Sequence, residues 1–426
     1  MLKLAEISTK FELSPTLHAN EMVALRRAEG QQVLHMGFGE SSFPVPERLR
    51  QALRDNADQN QYLPTGGLPE LCKMVAQYYK DKVGLDTDQF DVFIAPGSKL
   101  VLYSLQRAIE GDLLVPNPSW VSYAPQARML KTDVITIPTH LSDAGLYIDP
   151  LVFQDVIDKA RSQGQNPRKI ILNYPSNPTG LTMTEDNLKD LAAICVKEDI
   201  LIISDEIYGF VNFDGHYRTI AKYAPSHTAV STGASKHLAL GGWRLGIGFI
   251  PKSLDGLYGR LCNIASETWS CVATPVQKAV IEAYKGHEDI ETHIRDCAVL
   301  HGFINRYISA GLRDAGLEAP TVQGAFYNYP NFDHYREELA RIDVLTSENL
   351  SSHLLNHYGL ASLPAAAFGG EPDDLKLRLS GCDYNGTKAL AAYREGEALD
   401  DVFIEKHTPN IKAQVDVFKE FILKIS

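Results

Sequence analysis

Residues 231–248 read STGASKHLALGGWRLGIG. The stretch begins at the end of a strand-like apolar run (228–232), passes a lysine set among small residues, Lys236, and reaches an arginine, Arg244, in a glycine-rich turn. Toward the N-terminus, ILIISDEIY places Asp205 and Tyr208 just past another apolar run, and KIILNYPSNPTG places Asn177 in a turn after a third. Further runs follow the same plan: DVFIA (91–95), DLLVP (112–116) and DVITIP (133–138). Helical patterns over 68–82, 98–110, 120–130, 150–162 and 184–198 separate them. Short apolar runs divided by helices predict an α/β fold: a mostly parallel central sheet with helices on both faces.

The polar residues fall at matching places. Gly97 and Ser98 follow DVFIA, Trp120 follows DLLVP, Asn177 follows KIILNY, Asp205 follows ILII and Lys236 follows AVST. In an open α/β sheet the crevice beyond the carboxyl ends of the strands is where ligands bind, so five strands are expected to deliver these residues to one pocket. Past residue 290 the pattern changes to a long helix (287–315), a strand hairpin around GAFYNYP, a helix (346–358) and then SLPAAAFGG before LKLRLS. This predicts an N-terminal segment (1–44) that joins a smaller α+β domain (291–426), with a large domain (45–290) between them. Within the smaller domain, 383–412 is longer than the pattern requires and reads as a helix with an acidic exposed face.

Composition narrows the function classes. The formal net charge of -12 leaves no basic stripe for nucleic acid or an anionic membrane. No apolar stretch approaches the ~20 residues that span a bilayer, and the N-terminal MLKLAEISTKFELSP lacks the apolar core of a secretion signal. The six cysteines show no CxxC pair and no His/Cys ligand spacing, so they are expected as reduced thiols of a cytoplasmic protein, with no metal site. MGFGESS lacks the GxGxxG of dinucleotide binding, and there is no GxxxxGK[ST] phosphate loop.

What remains is a coherent set of groups. An amine able to form an imine (Lys236), a carboxylate able to keep a ring nitrogen protonated (Asp205) and an arginine able to clamp a phosphate (Arg244) are what pyridoxal 5'-phosphate asks of a protein. Gly97 and Ser98, opening a helix after a strand, offer free N–H groups and a helix dipole to the phosphate. Ser235 adds a hydroxyl. Each residue also has a plainer use. Lys236 and Lys99 can be solvated lysines, Asp205 a helix cap, Asn177 a turn residue before Pro178, and Trp120 a core aromatic.

The stretches YLPTGGLPEL, APGSK, PSWVSY, NYPSNPTG, SDEIY, TGASKHLALGGWRLG, GAFYNYP and LKLRLS, in this order, resemble the fold-type-I, class I aminotransferases, most closely the bacterial aspartate aminotransferase subgroup. The resemblance implies the PLP-transferase fold and a homodimer with its active sites at the interface. It also implies a ping-pong exchange of an amino group between an L-amino acid and a 2-oxo acid such as 2-oxoglutarate.

Residue by residue, the resemblance assigns Lys236 to the imine and to proton transfer, and Asp205 to the ring nitrogen. Tyr208 and Asn177 fall to the phenolic oxygen, and Trp120 to the ring face. Tyr62 in YLPTGG would reach the partner subunit's phosphate, and Arg378 would bind the substrate α-carboxylate. Gly39 would allow close approach of backbone and substrate, and Lys99 would meet either a distal carboxylate or the phosphate. The chain departs from the subgroup at GESSF, where GEPDF is usual, and at PAAAFG, where PGSAFG is usual. Two other activities suit parts of the set: β-elimination of a sulfur amino acid on the same cofactor, and a non-catalytic cofactor-binding module, against which Lys236 and Arg378 both speak.

Overall fold

The computed structural model describes residues 13–426. The reading of the first residues as free of a secretion signal therefore lies mostly outside the described residues. At the centre is a seven-stranded sheet in the order Phe90–Ala95, Gly246–Pro251, Thr228–Gly233, Leu201–Asp205, Pro167–Asn173, Asp112–Asn117, Val134–Pro138. All pairings from Thr228–Gly233 to Val134–Pro138 are parallel, whereas Gly246–Pro251 runs antiparallel to both of its neighbours. No strand was expected at GIGFI, just past the glycine-rich turn that carries Arg244. In the fold it is a fully buried strand that closes the sheet against Phe90–Ala95.

Side-chain alternation along the strands explains why helices cover both faces. Ile94, Val230, Ile170 and Ile202 point to one side. There they join Leu71, Val75 and Tyr79 of helix Pro69–Val83, or Phe153 and Leu188 of helices Pro150–Ser162 and Glu185–Lys197. Phe93, Ala229, Ile171 and Ile203 point to the other, against Val101 and Leu105 of helix Ser98–Ala108 and Leu261 of helix Leu257–Ser266. Runs apolar on every residue are thus what a sheet buried on both faces requires.

A second core gathers Met36 with Ile304, Leu312, Leu360, Leu377 and Phe418, bringing N-terminal and C-terminal residues together around the 27-residue helix Glu288–Asp314. Leu34–His35 pairs in parallel with Leu360–Ala361. Three sequence expectations are corrected here. VLHMGFG (33–39), whose apolar pattern reads as a short strand, forms one only over Leu34–His35. GAFYNYP forms no local hairpin, because Tyr327–Asn328 pairs instead with Leu377–Ser380, which also carries Leu363–Pro364. The 383–412 region is not one helix but two, Gly386–Arg394 and Asp401–His407, plus the start of Pro409–Ile425. Asn385, Asp400 and the helix-starting Pro409 supply the breaks.

The six cysteines are free thiols, three of them buried. Among the described residues no helix is long and apolar enough to cross a membrane.

Candidate active site

The carboxyl ends of the strands open into a cavity of about 440 Å³ lined by Ser98, Trp120, Asn177, Asp205 and Lys236, one from each of the five strand ends. Gly39, Lys99, Tyr208, Ser235, Arg244 and Arg378 line it too. Gly97 stands just behind. It caps helix Ser98–Ala108 at φ 88°, a left-handed geometry that favours glycine, and a Cβ there would overlap the Arg244 guanidinium. Arg244 itself sits at φ 54°, and its Nη1 donates to the Gly241 carbonyl at 2.9 Å. A helix N-terminus and a guanidinium therefore converge on one end of the cavity, an arrangement suited to a phosphate.

At the floor, Asp205 is buried. Its Oδ2 accepts a hydrogen bond from the Tyr123 hydroxyl at 2.7 Å, while Oδ1 has no partner. Burial raises its pKa to about 6, against the pull of the Tyr123 bond. A buried carboxylate oxygen without a donor is costly unless something in the cavity donates to it. Lys236 keeps some area open to the cavity but lies deep among protein atoms, and that burial lowers its pKa to about 8. Its Nζ donates to the Gly39 carbonyl at 2.9 Å and stands 5.6 Å from the Phe326 ring centre. An amine in this state is in part neutral near neutral pH, as a nucleophile must be.

The Asp205 geometry predicts a stability gain on its loss. Because its folded pKa lies above 3.8, the carboxylate costs stability as pH rises from 3.8 to about 6, and the cost is full above that. Cofactor-free Asp205→Asn should therefore match wild type in stability at pH 3.8 and melt a few degrees higher at pH 7, a gap of ~2–3 kcal/mol. Thermal melts across this range check the prediction; a variant that melts lower at pH 7 contradicts it.

Much of the remaining lining is cationic. Arg378 is 1% exposed and has no acidic partner among the described residues. Nη2 donates to the Gly37 carbonyl, Nη1 reaches Asn177 Oδ1 at 3.5 Å, and Nε is unpaired. Tyr327 and Phe368 sandwich the guanidinium, with ring centres at 4.8 and 5.2 Å. Lys99 Nζ lies 5.1 Å from the Trp120 ring centre, and burial, with help from Arg244, lowers its pKa. The lining carries four cations (Lys99, Lys236, Arg244, Arg378) against two carboxylates (Glu40, Asp205), an anion-attracting hollow in an acidic chain.

Several lining residues escaped the sequence reading. Tyr123 follows Trp120 by three positions within the PSWVSY stretch. Asn173 donates from Nδ2 to the Asp205 carbonyl at 2.8 Å and accepts from the Asn177 amide at 2.7 Å, which fixes the turn. Tyr327 bonds the Tyr208 hydroxyl at 2.8 Å and occupies the space a Cβ of Gly39 would need, a reason for glycine there besides substrate approach. Ser14, Thr16 and Leu17, at the start of helix Pro15–Ala28, line the mouth. Tyr62 lies outside this cavity and is 89% exposed.

A sheet of this order, with a deeply set lysine of lowered pKa and an unpaired carboxylate oxygen at its carboxyl edge, defines a pyridoxal-phosphate enzyme of fold type I. The residues fit the cofactor: Asp205 Oδ1 offers the missing acceptor for a ring N–H, and the Gly97–Arg244 end offers the phosphate seat. The family model "Aminotransferase class I and II" matches residues 31–392, and the chain belongs to that family, close to its aspartate aminotransferase group.

Among its relatives is the aspartate aminotransferase of Geobacillus stearothermophilus, 30% identical over 88% of this chain and 94% of that one. An asparagine–oxo-acid transaminase of Streptococcus mutans is 29% identical over the same shares. The structure of Thermus thermophilus aspartate aminotransferase with maleate superposes with a TM-score of 0.82, at 25% identity, covering 99% of this chain and all of that one. The chain is thus an enzyme that moves an amino group from an amino acid to a 2-oxo acid with pyridoxal phosphate as cofactor, and the β-elimination alternative is not favoured.

Proposed function

We propose that the preferred amino donor is an acidic L-amino acid, aspartate first, and that 2-oxoglutarate serves as acceptor. The observation that carries this reading is Arg378: a buried, aromatic-sandwiched guanidinium with a free Nε and no acidic partner among the described residues, facing a cavity that holds a second unpaired cation, Lys99. A substrate with two carboxylates answers both charges. The names of the relatives point the same way.

Pyridoxal phosphate, when bound, supplies an aldehyde that takes up amines and a ring that accepts the electrons released as a Cα–H bond breaks. Lys236 would be its covalent tether and the base that takes the proton from the substrate Cα. Asp205 would hold the ring-nitrogen proton through Oδ1, with Tyr123 steadying Oδ2. Tyr208 and Asn177 would donate to the phenolic oxygen, and Trp120 would cover the ring face. Gly97, Ser98, Ser235 and Arg244 would hold the phosphate. Arg378 binds the α-carboxylate, and Lys99 reaches the distal carboxylate along Trp120. Gly39 contributes its carbonyl and the absence of a side chain.

The exposed Tyr62 is read as reaching the phosphate of a second copy, so the working unit is a homodimer with sites at its interface, in the cytoplasm. The chain divides into an N-terminal segment (1–44), a large domain (45–290) and a small one (291–426). The test is a panel of donors with 2-oxoglutarate. Aspartate should give the highest kcat/KM, by at least about tenfold over alanine, with the parallel double-reciprocal lines of a ping-pong exchange. A neutral or aromatic donor ahead of aspartate by that margin contradicts the substrate reading.

A further inference from the structure

Segment 37–43, GFGESSF, walls one side of the cavity, and two of its carbonyls hold two of the cavity's cations. Gly37 O accepts from Arg378 Nη2, and Gly39 O accepts from Lys236 Nζ. Its support comes from the C-terminal region that the sequence reading could not assign. Gly386, which opens helix Gly386–Arg394, lies so close to the segment that a Cβ would overlap the Ser42 carbonyl and stand 2.7 Å from the Phe43 amide nitrogen. Phe43 belongs to one apolar cluster with Ala389, Leu390 and Phe403 of the two extension helices. Its ring packs edge-on against His301 at 4.8 Å and Tyr384 at 5.9 Å.

His301, 1% exposed, lies between Ser41 Oγ and the Tyr384 hydroxyl, at 3.4 Å from each. Burial pulls its pKa to about 3, so the ring is neutral and offers one donor and one acceptor to these hydroxyls. Ser41 and Ser42 are the residues at which GESSF departs from the subgroup. The family model's match ends at residue 392, short of helix Asp401–His407.

We propose that the extension 386–407, with His301, clamps segment 37–43 and so sets how tightly Arg378 grips a substrate carboxylate. The route is mechanical. Displacing Ser42 moves the Gly37 and Gly39 carbonyls, and Arg378 loses the acceptor that fixes its fork; a fork out of line by a fraction of an ångström forms weaker paired bonds. Gly386 is a positioning residue, since it touches neither substrate nor cofactor. The inference rests on the assignment of Arg378 to carboxylate binding.

The test uses the holoenzyme and succinate, a dicarboxylate with no amino group to transfer, with binding followed by the shift it causes in cofactor absorbance. Gly386 is not in the left-handed region and stands at the first turn of its helix, so alanine there acts through the overlap alone. Gly386→Ala should weaken succinate binding about tenfold and raise the KM for the amino donor in the same ratio. Cofactor content and kcat should stay within about twofold. Ser41→Ala should shift the same constants in the same direction, by about threefold, and decides the matter if Gly386→Ala does not fold.

Lys406→Ala, which removes the 2.9 Å ion pair with Glu397 on the extension's far side, should leave succinate affinity unchanged. Wild-type succinate affinity in folded, cofactor-loaded Gly386→Ala overturns the clamp, as does an equal loss in Lys406→Ala. If Arg378→Met leaves succinate affinity intact, it is the underlying assignment of Arg378 that has failed.

Discussion

Lys236→Ala is expected to lower the rate of amino-group transfer from aspartate by at least ~10⁴-fold, since in the proposed assignment it removes both the covalent tether and the group that moves the Cα proton. The cavity does hold another amine, Lys99, but its place is wrong for rescue. It lies against Trp120 and beside Arg244, whereas Lys236 sits where the Gly39 carbonyl, the Phe326 ring and Asp205 converge. The variant should still fold, because Lys236 makes one side-chain hydrogen bond among the described residues and its charge is depressed by burial. Single-turnover mixing with aspartate measures the loss. A rate within about tenfold of wild type would show that Lys236 is not the base.

The second large effect concerns Arg378. Truncation to alanine should cost about 10²–10³-fold in kcat/KM for aspartate, the ~3–4 kcal/mol typical of breaking a buried, hydrogen-bonded charge pair. Lysine should recover only part of this, because the site presents a flat guanidinium between Tyr327 and Phe368 and a point charge cannot offer two parallel bonds. Stability should move the other way. In the cofactor-free chain the guanidinium is buried without an acid among the described residues, and burial depresses its pKa. Arg378→Met, which keeps the bulk and loses the charge, should therefore melt no lower than wild type while binding aspartate far more weakly. An alanine variant with wild-type kcat/KM, or a methionine variant with a much lower melting temperature, would show that Arg378 serves the fold instead.

The large-domain plan was readable because its signals are local. Every strand of the parallel set is a short apolar run closed by a polar residue, and the alternation with helices leaves few topologies. The site's backbone was readable for the same reason, since Ser98, Trp120, Asn177, Asp205 and Lys236 all lie at a strand's carboxyl end or just past it. What escaped depends on distant partners. The strand GIGFIP went unassigned, because its antiparallel pairing is set by distant partners, Phe90–Ala95 and Thr228–Gly233. Tyr327 pairs with Ser380 rather than within its own stretch, so the hairpin expected at GAFYNYP had the right element and the wrong neighbour. Tyr123 reads as a helix-face aromatic until Asp205 is seen beside it. The region 383–412 shows its purpose only when Gly386 is found against Ser42.

The most direct measurement is reduction of the cofactor-loaded enzyme with borohydride, followed by peptide mapping. The label should appear on Lys236 alone, at close to one per chain, and be absent from Lys99. A label on any other lysine, or a folded and cofactor-saturated protein that takes none, would contradict the assignment on which the whole site has been built.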